Sequence, residues 1–213
     1  MKFSIIIPVL NAEQTLETCL ESVTKLNYPP DQYEILCVDN GSTDGSVRII
    51  QRFKPVRLVL EHNRQSSYAA RNTGILTAQG AIIALTDADC IVPADWLTQL
   101  EQAFSNPSVG AVAGQILPVE PKTFIERYQA SRRTLNLELM SSFPFRWLPI
   151  TANAAYRKEI FTEVGLFRGD LISCGDFELG QRIKEHSSYT IAVRLDIAVR
   201  HRHRTSFRAM LRQ

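Results

Sequence analysis

The 213-residue chain is 45% hydrophobic and 22% charged, with a formal net charge of +2. That length carries one sizeable core and is short for two, and so balanced a charge excludes a dedicated nucleic-acid binder, which carries a strongly basic face. No stretch of the sequence approaches the ~20 consecutive apolar residues of a membrane-spanning helix.

The N-terminus runs from Met1-Lys2 directly into an apolar strand, Ser4 to Val9. The run is too short for the apolar core of a secretory leader, so none is expected. Leu16, Cys19, Leu20, Val23 and Leu26 recur at helical spacing, and Asn27-Tyr-Pro-Pro30 stops that helix. Glu34 to Val38 is a short strand with almost no polar positions, which predicts burial on both faces. Ser46–Phe53 predicts a helix, Val56–Leu60 a strand, Tyr68–Ala78 a helix and Ala81–Leu85 a fourth strand. Units of this kind imply an α/β domain with a mainly parallel sheet and helices on both faces. Further along, Asp95–Phe104 predicts a helix, Val109–Ala113 a strand and Phe124–Met140 a long helix. The aromatic-rich stretch Ser141–Pro149 reads as an irregular loop. Thr151–Tyr156 leads into a short helix over Lys158–Val164, a helix covers Asp176–Glu185, and two short strands cover Ile191–Val193 and Ile197–His201.

In open parallel sheets, ligands bind beyond the carboxyl ends of the strands. The residues just past those ends here are Asn11, the run Asp39-Asn-Gly-Ser-Thr-Asp44, and Asp87-Ala88-Asp89. Asp and Asn favour turns anyway, so each cluster is weak evidence alone, and their joint placement after three strands is the stronger signal. In an extended segment Asp87 and Asp89 project to the same side. Two carboxylates so placed suit Mg²⁺ or Mn²⁺, which take oxygen ligands and share their shell with phosphate. No GxGxxG follows a strand and no GxxxxGK[ST] occurs, so dinucleotide and P-loop readings fail.

Five segments in order resemble the family 2 inverting glycosyltransferases of the GT-A fold: Ser4-Ile-Ile-Ile-Pro-Val-Leu-Asn11, Glu34-Ile-Leu-Cys-Val-Asp-Asn-Gly-Ser-Thr-Asp44, Ala70-Arg-Asn-Thr-Gly74, Leu85-Thr-Asp-Ala-Asp89, and Gly165-Leu-Phe167 followed by Gly175-Asp176. The resemblance covers Ser4 to His203. It implies a single GT-A (nucleotide-diphospho-sugar transferase-like) domain over 1–213, with a nucleotide-binding half over 1–115 and an acceptor half over 116–213. It further implies a nucleotide-sugar donor, with UDP favoured, and a glycan, lipid or small-molecule acceptor. Asp176 would be the general base and Asp89 the metal ligand. Pro8, Asn11, Asp39, Asn40, Arg71, Asp87 and Ala88 would line the nucleotide, with Asp39 on the base and Asp87 near the ribose or the metal's water shell. Relatives often run longer, which leaves a segment beyond Gln213 open.

The sequence departs from the family pattern in three places. Asn40 stands where many relatives have a second Asp, and Gly175 where many have Glu. Glu178 is nearby but on a helix points elsewhere. Gln181-Arg182 resembles part of a processive-synthase motif without its Trp, so processivity is not predicted. His201 and His203 share one side of a strand. They read either as a solvated basic end or as a further metal or phosphate ligand, with His201 preferred because it directly follows Ile197-Ala-Val199. Phe143, Phe145 and Trp147 read as core or as an acceptor-side loop. Arg200, Arg202, Arg204, Arg208 and Arg212 read as a solvated tail or as a contact to diphosphate or anionic lipid at the inner face of a membrane. Four separated cysteines with no CxxC fit a reducing cytosol. Two rival functions remain: a sugar nucleotidyltransferase, disfavoured by the absence of Gly in Pro8-Val-Leu-Asn11, and a non-catalytic nucleotide-sugar-binding module.

Overall fold

The computed structural model describes residues 1–121, 123–132 and 149–202. The chain begins β1 (Phe3–Val9), α1 (Leu16–Thr24), β2 (Tyr33–Asp39), α2 (Ser46–Arg52), β3 (Val56–Leu60), α3 (Ser67–Thr77), β4 (Ile82–Thr86). It continues β5 (Cys90–Ile91), α4 (Trp96–Ala103), β6 (Val109–Pro118), α5 (Phe124–Arg132), β7 (Asn153–Arg157), α6 (Ile160–Val164), α7 (Gly175–His186) and β8 (Thr190–His201). All eight strands join one sheet in the order β3-β2-β1-β4-β7-β6-β8-β5.

Alternation along β1 divides the core. Phe3, Ile5 and Ile7 face α1, α2 and α4, packing with Leu16, Leu20, Ile50, Trp96 and Leu97. Ile6 faces α3, α6 and α7, packing with Ala70, Ile75, Phe161 and Leu179. Helices therefore cover both faces, as the apolar strand runs predicted. β3 is one of the two edge strands, and its exposed Arg57 and Leu60 mark it as such.

The four N-terminal strands are parallel. The sheet as a whole is mixed, because β7 runs antiparallel between β4 and β6, and β5 runs antiparallel to β8. Two sequence expectations are corrected here. The sequence makes residues 151–156 a lead into a helix, yet Asn153–Arg157 is a central strand, its small Ala154 and Ala155 buried between neighbours. Ile191–Val193 and Ile197–His201 belong to one strand, β8, whose pairing with β6 skips from Arg194 to Ala198. The intervening bulge breaks the alternation that marks a strand in sequence. The long helix expected over Phe124–Met140 is seen as Phe124–Arg132. The remainder, and the aromatic cluster Phe143, Phe145 and Trp147, lie outside the described residues. Among the described residues no helix is long and apolar enough to cross a membrane.

Candidate active site

The carboxyl ends of β1 and β2 are tied to each other by their own side chains. Asn11 sits in the left-handed region at φ 50, where Asn is better tolerated than most residues. Its Oδ1 accepts from the Thr43 amide at 2.8 Å, and its own amide donates to Ser42 Oγ at 3.0 Å. Asp44 accepts from the Glu13 amide at 3.1 Å, and Glu13 accepts from the Gly45 amide at 2.8 Å. Asp39 is 4% exposed and accepts from the amides of Gly41 and Ser42 at 3.2 Å. Asn40 faces the other way: its Nδ2 donates to the carbonyls of Glu61 at 3.2 Å and Arg64 at 2.8 Å. An Asp carboxylate at that position could not donate either bond, so the departure at 40 fixes the loop after β3.

The second cluster forms where β4 ends and β5 pairs with the last residues of β8. Cys90 stands opposite His201, and the Arg202 amide donates to the Asp89 carbonyl at 2.9 Å. This pairing brings His201 Nε2 to 3.3 Å from Asp89 Oδ2, with the two side chains 17% and 37% exposed. Asp87 is engaged differently, its Oδ1 accepting from Arg71 Nη2 at 2.5 Å. Ala88 packs into the apolar cluster behind, beside Cys19 and Cys90. Burial, aided by the Asp87 and Asp89 charges, pushes both thiols well up, so the backing of the carboxylates stays uncharged.

The donor set can be judged on its own chemistry. Asp89 and His201 offer one oxygen and one nitrogen 3.3 Å apart. No group of three or more such ligands occurs among the described residues. A two-ligand site suits a cation that completes its shell with phosphate oxygens and water, the habit of Mg²⁺ and Mn²⁺, so the residues fit.

Asp176 lies in the first turn of α7. The Gly175 amide, first in that helix, donates to Tyr68 Oη at 2.9 Å. Burial pushes the Tyr68 hydroxyl up, and the Asp176 charge adds to this. Helix α3 reaches the start of α7, Asp87, Phe167 and Glu61. Tyr68 meets α7, Arg71 meets Asp87, and Asn72 pairs with both backbone groups of Phe167, at 2.8 Å to its carbonyl and 3.0 Å from its amide. Thr73 donates to Glu61.

Residues 4–165 match the model of glycosyl transferase family 2. The chain belongs to that family. It is 35% identical over 200 residues to the glycosyltransferase AglE of Haloferax volcanii, covering 91% of this chain and 64% of that protein. It is 33% identical over 123 residues to the poly(ribitol-phosphate) beta-glucosyltransferase of Bacillus spizizenii, covering 54% of this chain and 19% of that protein. Among solved structures, the mannosyltransferase PcManGT of Pyrobaculum calidifontis, in complex with GDP-Man and Mn²⁺, superposes with a TM-score of 0.76 at 23% identity over 99% of this chain and 59% of that one. S. aureus TarS 1–349 superposes with a TM-score of 0.73 at 21% identity over 95% of this chain and 60% of that one. These superpositions establish the GT-A fold. The chain thus spans less than two thirds of the length of these relatives.

Within this family 2 domain the sequence-expected residues fall into two groups. Asn11, Asp39 and Asn40 lie in the loops ending β1 and β2, and Pro8 lies one residue from the end of β1. Arg71 pairs with Asp87 and His201 with Asp89, two residues on, and Asp176 follows Gly175, whose amide reaches Tyr68 of α3. His203 lies outside the described residues. Glu178 is held by Arg182 at 2.7 Å, and Arg182 Nη2 donates to the Leu166 carbonyl at 2.8 Å, so this pair braces the Gly165-Leu166-Phe167 segment. Sequence reasoning missed Tyr68 and Asn72. The available signal was spacing: Tyr68 precedes Arg71 by three residues, one turn along the same helical face.

Proposed function

We propose that this chain carries the catalytic domain of an inverting glycosyltransferase that moves a sugar from a nucleotide diphosphate, UDP by preference, to an acceptor hydroxyl. Residues 1–115 hold the donor and 116–213 hold the acceptor. The observation that carries this reading is the placing of Asp89 Oδ2 3.3 Å from His201 Nε2, on the sheet edge where β1, β2 and β4 end. The complexes of TarS with UDP-GlcNAc and of PcManGT with GDP-Man and Mn²⁺ support a nucleotide-sugar donor.

Asp89 and His201 would hold a Mg²⁺ or Mn²⁺ ion, which would supply Lewis-acid neutralisation of the departing diphosphate. Asp87 is already compensated by Arg71, which suits it to the ribose or the ion's water shell rather than to direct ligation. The two locked loops of Asn11 and of Asp39 and Asn40, together with Pro8 and Ala88, cradle the nucleotide. Asp176 takes the proton of the acceptor hydroxyl as its oxygen bonds the anomeric carbon, while the bond to the diphosphate breaks on the opposite face and its electron pair leaves with the nucleotide. General-base help of this kind is worth about 10²–10⁴-fold. The acceptor is a glycan, a lipid or a small molecule. Its binding includes peripheral contact at the inner face of a membrane through the C-terminal arginines. The unbridged cysteines suit a reducing cytoplasm.

Calorimetry with UDP, GDP and dTDP, with and without Mn²⁺, on wild type and Asp89→Ala, tests the donor half. Metal-dependent binding of one nucleotide, weakened in Asp89→Ala, is the expected result, and its base identifies the donor. Nucleotide release from a panel of nucleotide sugars should fall about 10²–10⁴-fold in Asp176→Asn with affinity unchanged. Absence of nucleotide binding under every metal condition overturns the reading.

A further inference from the structure

The contact between Tyr68 and the start of α7 is more specific than packing requires. The first amides of a helix lack intrahelical partners. Cys174, which precedes α7, sits at φ 62 and makes no side-chain cap. The missing acceptor comes from another helix, as Tyr68 Oη at 2.9 Å from the Gly175 amide.

The ring also acts on Gly175. A Cβ there would lie 2.8 Å from both Cε2 and Cζ of Tyr68 and 3.0 Å from Cδ2. The ring has nowhere to retreat. Tyr68 is 6% exposed, stacks on Phe167 at 5.7 Å and 18°, and lies under the Arg71 guanidinium at 5.6 Å. Phe167 is itself wedged edge-on against Tyr156 at 6.2 Å. The space a side chain at 175 would fill is therefore occupied by Tyr68, and the next residue in the chain is Asp176.

We infer that Tyr68 is the positioning residue for Asp176, its hydroxyl capping α7 and its ring setting how closely that helix approaches α3. Through Arg71, one turn along, the placement of the base is tied to that of Asp87. The hydroxyl remains protonated and so serves as a neutral hydrogen-bonding cap. This inference rests on the reading of Asp176 as the base.

Tyr68→Phe removes only the hydroxyl and is the informative variant, because the ring and its stacking survive. Turnover of the donor selected from the nucleotide-sugar panel, with water as acceptor if no other is supplied, should fall about 10- to 100-fold, the scale of a misplaced catalytic group. Nucleotide affinity measured by calorimetry should stay within about twofold, because in this reading the hydroxyl acts on α7 and not on the donor loops. Independently of turnover, amide hydrogen exchange at Gly175 and Asp176 should accelerate about tenfold or more, as expected when a buried donor loses its partner. A merely structural role predicts a lower unfolding midpoint with turnover and affinity unchanged. Unchanged exchange at these amides overturns the inference whether or not a donor is turned over. Asp176→Asn run in parallel separates the two failures. If it retains turnover, the base reading fails. If it loses turnover while Tyr68→Phe keeps it, only the positioning role fails.

Discussion

Between Phe3 and Thr86 strand and helix alternate, and each polar cluster stands where a parallel strand ends. Between Cys90 and His201 the site is assembled by strands that return from far along the chain. The first region satisfies its loops locally: Asn11, Glu13, Asp39 and Asp44 pair with amides of the two loops they sit in. The second depends on β8 arriving in register, since only the pairing of Cys90 with His201 brings the imidazole to Asp89. That register is held across a bulge by one buried amide. Asn153 is 1% exposed, donates to the carbonyls of Gln115 and Ile197 at 2.9 Å each, and accepts from Trp96 Nε1 at 3.0 Å. Gly114 makes room for it, because a Cβ there would lie 2.3 Å from Asn153 Nδ2. The loops ending β1 and β2 are thus preset by a repeated unit, and the Asp89–His201 pair is preset by a single polar plug.

The largest expected effect follows from that contrast. Asn153→Ala removes three buried hydrogen bonds, to the Gln115 and Ile197 carbonyls and from the Trp96 indole. At about 1 kcal/mol or somewhat more for each, the cost is about 3–5 kcal/mol. Denaturant unfolding measures it. Metal-dependent nucleotide binding should fall further than metal-free binding, because the slip is felt at His201. A loss below about 1 kcal/mol would break the comparison, since the bulge would then be held by something other than this side chain.

The same contrast explains what the sequence revealed. Apart from the two-residue β5, the strands and helices from Phe3 to Ala103 are legible because their periodicities are local, and Val56–Leu60 matches the strand to the residue. Asp87 and Asp89 stood out because they follow the apolar run Ala81–Leu85, and Asp176 through the resemblance of Gly165-Leu-Phe167 and Gly175-Asp176 to the family pattern. β7 was not legible: Asn153-Ala-Ala-Tyr-Arg157 lacks the β-branched residues that mark strands, and its strand state comes from burial between β4 and β6. β8 was split because a bulge reads as a break. Tyr68 offered only its spacing to Arg71, and Asn72 no local signal at all, because their partners, Gly175 and Phe167, lie far along the chain.

A second variant tests how the two regions are joined. Asn72 reads both backbone groups of Phe167, so it clamps α3 of the first region to the segment that leads into α7. Asn72→Ala should cost about 2 kcal/mol, two bonds at roughly 1 kcal/mol each. It should lower turnover more than nucleotide affinity, because the clamp lies on the Asp176 side. Equal losses in both would mean that α3 supports the donor loops through Asn72 as well, which would sharpen the division differently.

The smallest effect belongs to the locally satisfied region and carries a pH signature. Glu61 is buried at the end of β3 and accepts from Thr73 Oγ1 and from the amides of Asn63 and Arg64. The Thr73 hydroxyl foremost, against the cost of burial, and then the two amides hold its carboxyl below its ordinary 4.5. A depressed carboxyl stabilises the fold fully above its unfolded value, and that contribution is lost as pH falls through the folded value. Glu61→Gln keeps one acceptor oxygen and loses the charge, so at neutral pH it should cost about 1 kcal/mol. Measured by thermal unfolding, the gap between wild type and variant should hold from neutrality down to about pH 5 and then close as pH falls further. The sign is fixed by the direction of the shift: protonating wild-type Glu61 turns it into a neutral group like the variant, so wild type must descend to meet it. A gap that persists unchanged into acid would mean that Glu61 contributes through shape and packing alone. The loop after β3, which Asn40 also pins, would then owe nothing to the charge.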